Sequence, residues 1–176
     1  MALLQLRQDG DEMLKRKAKT VKEITPEIHA LLDDMLETLN AKEGVGLAAP
    51  QVGKLKRIAI VSHDDELFEM INPEIIETEG TQVSNEACLS VPGRCGDVDR
   101  PYSMTVRALD RHGVEYTVTV DDYLASVFSH ELDHLDGVVF LDKATNIKLV
   151  DQEQMEERRR NRKARRQERR AIVRRR

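Results

Sequence analysis

Residues 121–137 read DDYLASVFSHELDHLDG, and this stretch decides most of the fold and chemistry. Acidic residues at the positive end, apolar Leu124, Val127, Phe128 and Leu135 on one side, and Gly137 as a left-handed stop predict a helix from about Asp122 to Asp136. His130 and His134 stand four residues apart on it, so consecutive turns present both rings from one face to a single metal ion. Glu131 lies ~100° further round the helix, close enough to handle a water at that metal without ligating it. The other histidines, His29, His63 and His112, have no useful spacing and are expected at the surface. A catalytic site of this type needs a third protein ligand and an open fourth position. Cys88 is the first candidate, in the irregular, turn-like run Glu86-Ala-Cys-Leu-Ser-Val-Pro-Gly93, and Glu153 is the alternative. Cys95 reads as a small buried hydrophobe. Asp133 either supports a neighbouring ligand or faces solvent.

Upstream of this helix, Met104, Val106 and Ala108 alternate with polar residues, as do Val114, Tyr116, Val118 and Val120. With a turn at Asp110-Arg-His-Gly113 between them, they predict an antiparallel hairpin. Ile58–Ser62 and Phe68–Asn72 predict short strands, with Asn72-Pro73 as a break. Gly44–Gly53 (GVGLAAPQVG) is too rich in glycine and proline for a helix, and Asp9-Gly10-Asp11 marks a turn. Thr25-Pro26 opens a second helix, with Thr25 as its cap and Ile28, Leu31, Leu32, Met35, Leu36 and Leu39 as its buried stripe. Strands and helices do not alternate as βαβ units, so the class is α+β with antiparallel sheet.

The chain has 176 residues, 40% hydrophobic and 34% charged, which predicts one soluble globular domain without disulfide staples. Its apolar runs are far shorter than the ~20 residues of a membrane helix, no signal peptide is visible, and two cysteines suit a reducing compartment. A cytoplasmic protein is therefore expected. The net charge of −4 conceals two electrostatic objects. Residues 1–157 carry 16 Lys/Arg against 31 Asp/Glu, whereas residues 158–176 carry 12 basic residues and one acid. That tail lacks aromatics and an apolar stripe, so it is either a solvated charge run or a polyanion-binding segment, helical or disordered.

Three separated motifs resemble those of the bacterial-type peptide deformylases. Gly44-Val-Gly-Leu-Ala-Ala-Pro-Gln51 is similar to the family's first motif, Glu86-Ala-Cys-Leu-Ser90 to its second, and His130-Glu-Leu-Asp-His134 to its third. Arg7, Gly10-Asp11, Leu14, Val21, Ile71-Asn72-Pro73 and Arg100-Pro101 recur in the same register, so the resemblance covers about residues 3–145. It implies an α+β deformylase-like fold, with antiparallel sheets around the central HExxH helix, an N-terminal helix and a basic C-terminal helix or tail. The expected division is a catalytic domain over 1–146 and an Arg-rich extension over 147–176. Ala87 stands where the family pattern has glycine. Either the backbone there is ordinary, or substrate approach beside Cys88 is altered.

The implied reaction removes the formyl group from N-terminal formyl-methionine of new polypeptides and releases formate. Cys88, His130 and His134 would hold one divalent metal; family precedent favours Fe(II), and Zn(II), Ni(II) or Co(II) also suit the donors. Metal-bound water would attack the formyl carbon, with Glu131 as general base and then acid. The Gln51 amide and the Leu89 backbone N–H would hold the developing oxyanion. On the substrate side, Gly44, Val45, Gly46 and Leu47 would pair with the peptide backbone like an added strand, with the Gly46 carbonyl as an acceptor. Val45 and Val127 are candidate walls for the methionine side chain, and Glu86, paired with Arg100, would brace the Cys88 loop. Implied partners are formylated nascent peptides and ribosomal RNA, the latter through the basic tail; a monomer is expected. Two rivals are an HExxH metallopeptidase using Glu153, and a non-enzymatic RNA-binding protein with a structural metal. Intact Glu131 and Gln51 argue against the second, which needs neither.

Overall fold

A computed structural model describes residues 2–150 and Arg160. Glu153 and the basic tail 158–176 therefore lie outside the described residues, apart from Arg160. The elements follow in the order α1 (Pro26–Ala41), β1 (Gly46–Ala48), β2 (Ile58–His63), β3 (Glu66–Glu79), β4 (Gln82–Cys88), β5 (Val91–Arg100), β6 (Ser103–Leu109), β7 (Glu115–Asp121), α2 (Asp122–Leu135) and β8 (Thr145–Leu149). All strand pairs named here are antiparallel, so the class is α+β as expected. No described helix is long and apolar enough to cross a membrane.

Five strands form one sheet in the order β1-β2-β3-β6-β7, and β4-β5-β8 form a second. Period-two geometry sends alternate β2 residues to opposite faces of the larger sheet. Ala59 and Val61 join Met70, Met104, Val106 and Phe128 on the α2 side, while Ile58 and Ile60 join Leu32, Met35 and Leu39 on the α1 side. The apolar run Ile58–Val61 thus has helices to bury it on both faces. Each such side chain contributes ~1.5–3 kcal/mol on burial.

The hairpin forms as read, with Val106 opposite Val118, and Asp110 Oδ1 accepts from the His112 and Val114 amides in its turn. Val114 belongs to that turn and is exposed, so the alternation starts two residues later, at Tyr116. Two further expectations change. Thr25 occupies the cap position of α1 but makes no side-chain capping bond. Asn72-Pro73 does not end a strand. Asn72 takes a positive φ of 53° at an irregularity in the β3–β6 register, and β3 continues to Glu79. The Asn72 amide secures that kink by exchanging two hydrogen bonds with the Val21 backbone, at 2.8 and 2.9 Å.

The smaller sheet is the main difference from the sequence reading. Glu86–Gly93 is a hairpin between β4 and β5 with Cys88 as the last residue of β4, not a free loop. Strand β8 runs across the expected 146/147 boundary and pairs with β5, and the Val150 amide donates to the Gly93 carbonyl at 2.9 Å. Ala87 pairs with Cys95 just before the irregularity between Ala87 and Cys88 in the β4–β5 ladder, and it lies outside the positive-φ residues, so its backbone is ordinary, the first alternative for this position. Gly137 ends α2 at φ 76°, and a side chain there would come within 2.6 Å of the Lys15 carbonyl oxygen.

Candidate active site

Helix α2 carries the site because its C-terminal half is buried while remaining polar: His130, Glu131 and His134 are all nearly inaccessible. Strand β4 brings Cys88 to the same place. The Cys88 Sγ and the two imidazoles offer ligand atoms within 4.8 Å of one another, and Sγ lies 3.2 Å from His134 Nε2. The two rings meet edge to face at 4.9 Å, and Phe140 stacks on the His130 ring at 6.2 Å.

One side of this group is tightly braced. His130 Nδ1–H donates to Glu86 Oε2 at 2.8 Å, which turns Nε2 of that ring towards the cluster. The Arg100 guanidinium holds both Glu86 oxygens, at 2.6 and 2.9 Å, and reaches Asp133 at 2.6 Å, which also binds Lys143. Burial alone would raise the Glu86 pKa, but the bonds from Arg100 and His130 outweigh it and hold this carboxyl at about 2. Glu86 borders the neighbouring cavity, and its carboxylate is taken up by Arg100, as expected from charge, and by His130. Asp133 belongs to the same chain of charges. Sequence reading did not join these residues to His130, because the contact spans 44 positions.

The other side is open. A cavity of about 430 Å³ is lined by Gly44, Val45, Gly46, Gln51, Leu89 and Val127, among others, together with Cys88, His130 and Glu131. Leu47 is not part of it: strand alternation turns this side chain into the α1 core, where it is fully buried. Ser62 N–H donates to the Val45 carbonyl, so the Gly46–Val61 pair is the non-hydrogen-bonded type and the Gly46 amide and carbonyl point away from β2. Since β1 is the last strand of its sheet, that edge is open to a peptide backbone. A Cβ on Gly46 would collide with the Glu131 carboxylate. The glycine thus also makes room for Glu131, besides the substrate approach expected from sequence.

Gln51 is positioned by its own loop. Its Oε1 accepts from the Ala48 amide at 2.7 Å, which aims Nε2 at Cys88 Sγ (3.4 Å) and Ser90 Oγ (3.3 Å). Ser90, absent from the sequence-derived candidates, also donates its backbone N–H to Cys88 Sγ at 3.4 Å. Its place inside the second motif was the available signal. His29 and His63 are half-buried rather than fully exposed, because His29 bonds the Arg111 carbonyl and His63 packs against Tyr123. Glu131 Oε2 and His134 Nδ1 are buried with no protein partner. Burial raises the Glu131 pKa to about 7, the range a general base needs.

Two imidazoles, a thiolate and an unpartnered carboxylate beside a cavity fit a single borderline-soft divalent metal with an open coordination position. Known proteins agree. Residues 3–150 match the family model for polypeptide deformylase. The chain belongs to the polypeptide deformylase family. The chain is 50% identical over 158 residues to a peptide deformylase of Acetivibrio thermocellus, covering 90% of this chain and 92% of that one. It is also 50% identical over 149 residues to one from Halothermothrix orenii, covering 84% and 97%. Among solved structures, a Legionella pneumophila peptide deformylase superposes with a TM-score of 0.79 at 35% identity, over 82% of this chain and 87% of that one. The Synechococcus elongatus peptide deformylase in complex with actinonin gives 0.79 at 38%, over 81% and 79%. The chain is thus a metal-dependent hydrolase that removes the N-formyl group from formylated nascent peptides.

Proposed function

We propose that Cys88, His130 and His134 hold the single metal, Fe(II) in the cell, and that Glu131 is the general base for deformylation of N-terminal formyl-methionine. The observation that carries this reading is the Glu131 carboxylate, buried without a protein partner for Oε2 and bordering the same cavity as Cys88 and His130. The metal, when bound, supplies Lewis acidity and lowers the pKa of water towards neutrality. Glu131 takes the proton from the water that attacks the formyl carbon, then delivers it to the amine nitrogen as the C–N bond breaks. The Gln51 Nε2–H and the Leu89 N–H receive the negative charge that develops on the formyl oxygen. The exposed edge of Gly46 aligns the peptide backbone, with its carbonyl accepting a substrate N–H. Val45 and Val127 supply apolar wall for the methionine side chain.

The protein acts in the cytoplasm, as a monomer, and residues 158–176 bring it to ribosomal RNA. Twelve basic residues in that segment give the phosphate affinity such docking needs.

The test is formate release from a formyl-Met tripeptide by protein purified without oxygen and loaded with Fe(II) or Ni(II). Turnover is expected to vanish together with the metal in Cys88→Ala. In Glu131→Gln it should fall ~10²–10⁴-fold with the metal retained. Activity surviving in Glu131→Gln would remove its role as base, and metal retained in Cys88→Ala would remove the thiolate from the ligand set.

A further inference from the structure

The sequence calls for an apolar pocket, since a thioether is only a weak hydrogen-bond acceptor. The cavity is not uniformly apolar. Ser126, one turn ahead of His130 on α2, and Ser84, on the same face of β4 as Glu86 and Cys88, both line it. Ser126 is only 4% exposed. A serine inside a helix usually bonds the carbonyl four residues back, as Thr38 does to Asp34 at 2.7 Å. Ser129, on the same helix, donates to Met104 Sδ. Among the described residues, neither the Ser126 nor the Ser84 hydroxyl makes a hydrogen bond. Two donors are therefore left to the cavity from two of its walls, α2 and β4. Both hydroxyls are open to the cavity rather than sealed from it, so each can bond water until a polar group of a bound substrate takes its place.

We infer that the cavity also accepts N-formyl peptides whose first residue is methionine sulfoxide, with Ser126 Oγ–H as the principal donor to the sulfoxide oxygen and Ser84 as the second. Oxidation turns the unbranched thioether into a polar side chain of nearly the same length, which puts a strong acceptor at the tip of the residue the pocket already takes. The reaction is unchanged: water adds across the formyl C–N bond, formate and the free amine leave, and the sulfoxide is neither reduced nor consumed. This inference rests on the deformylase reading and specifies which first residues that site accepts.

The experiment measures kcat/KM for formyl-Met and formyl-Met-sulfoxide versions of one tripeptide, using the metal-loaded full chain and its Ser126→Ala, Ser126→Val and Ser84→Ala variants. The wild-type sulfoxide-to-thioether ratio should be within about tenfold of unity. Ser126→Ala should lower that ratio about three- to tenfold, Ser126→Val at least as much, and Ser84→Ala less. General damage to the fold depresses both substrates together and leaves the ratio where it was. A ratio unchanged in both Ser126 variants, or a wild-type enzyme that rejects the sulfoxide by more than about a thousandfold, overturns the inference while leaving formyl-Met turnover, and so the parent reading, intact. No formate from either peptide overturns both.

Discussion

Two arginine–glutamate pairs, one in each sheet, have almost the same length and opposite surroundings. In the five-stranded sheet, Arg107 meets Glu74 at 2.7 Å with side chains 45% and 62% exposed. In the three-stranded sheet, Arg100 meets Glu86 at 2.6 Å with 3% and 6% exposed. The first is screened by water and contributes little, because the attraction is weak in a high dielectric and fixing two long side chains costs entropy. The second stands in a dry interior, where each charge depends on the other and on His130 and Asp133 beyond them. The larger sheet is held by apolar burial between two helices, and its Arg107–Glu74 pair lies outside that packing. The smaller sheet buries its Arg100–Glu86 pair, which braces the His130 ring.

That contrast is sharpest in the arginines themselves. Arg100→Ala leaves the Glu86 carboxylate buried and unpaired, and is expected to cost about 3–5 kcal/mol in urea unfolding. Metal affinity should also weaken ~10–100-fold as the His130 brace loosens. Arg107→Ala should be indistinguishable from wild type in both measurements, and equal effects at the two sites would erase the distinction drawn here. Leu32→Ala removes a fully buried side chain from the α1 core and should cost about 3 kcal/mol. Metal affinity, followed by competition with a chromogenic chelator, should not change.

Removing the metal reverses the pattern. At a free concentration ~100-fold above Kd, its loss should withdraw about 2.7 kcal/mol. Hydrogen exchange should then show protection falling along β4, β5 and the end of α2, while β2 keeps its own; a uniform fall would mean the two regions open as one unit. The smallest effect belongs to Tyr116, whose hydroxyl donates to the Glu69 carbonyl at 2.9 Å. Burial, with Glu69 and Asp110 nearby, raises its pKa from 10 to about 12. The unfolded phenol ionises first, so this contribution is present below pH 10 and is lost as pH rises towards 12. After allowance for partial exposure it amounts to about 1 kcal/mol. Urea midpoints measured across that range should fall less steeply in Tyr116→Phe.

The same division governs how much could be read from the sequence. Both helices and the β6–β7 hairpin announce themselves through local periodicity, because one face of each element is apolar and the other wet. Strands β4, β5 and β8 have no such signal. Glu86 and Arg100 are buried polar residues, β5 contains Pro92, Gly93 and Gly96, and all five residues of β8 are exposed. These strands are specified by long-range pairing and by charges that find partners only in three dimensions. The metal group was legible because His130 and His134 share a helix and Cys88 sits in a motif. The brace behind it was not, since Glu86 could be matched to Arg100 by charge but not to His130. Serines 84 and 126 gave no signal at all before the walls of the cavity were known.

The open edge of β1 has a consequence for breadth. An edge strand grips a peptide by amides and carbonyls, groups that recur unchanged in every polypeptide whatever its side chains. Beyond the first residue, a catalyst approached in this way reads what all its clients share and is indifferent to what distinguishes them. Its exceptions are then dictated by backbone chemistry: a proline early in the chain offers no N–H to the edge and forfeits a rung of the ladder. If the proposed pairing holds, one short strand, left unpaired on one side, lets a single protein serve many unrelated gene products.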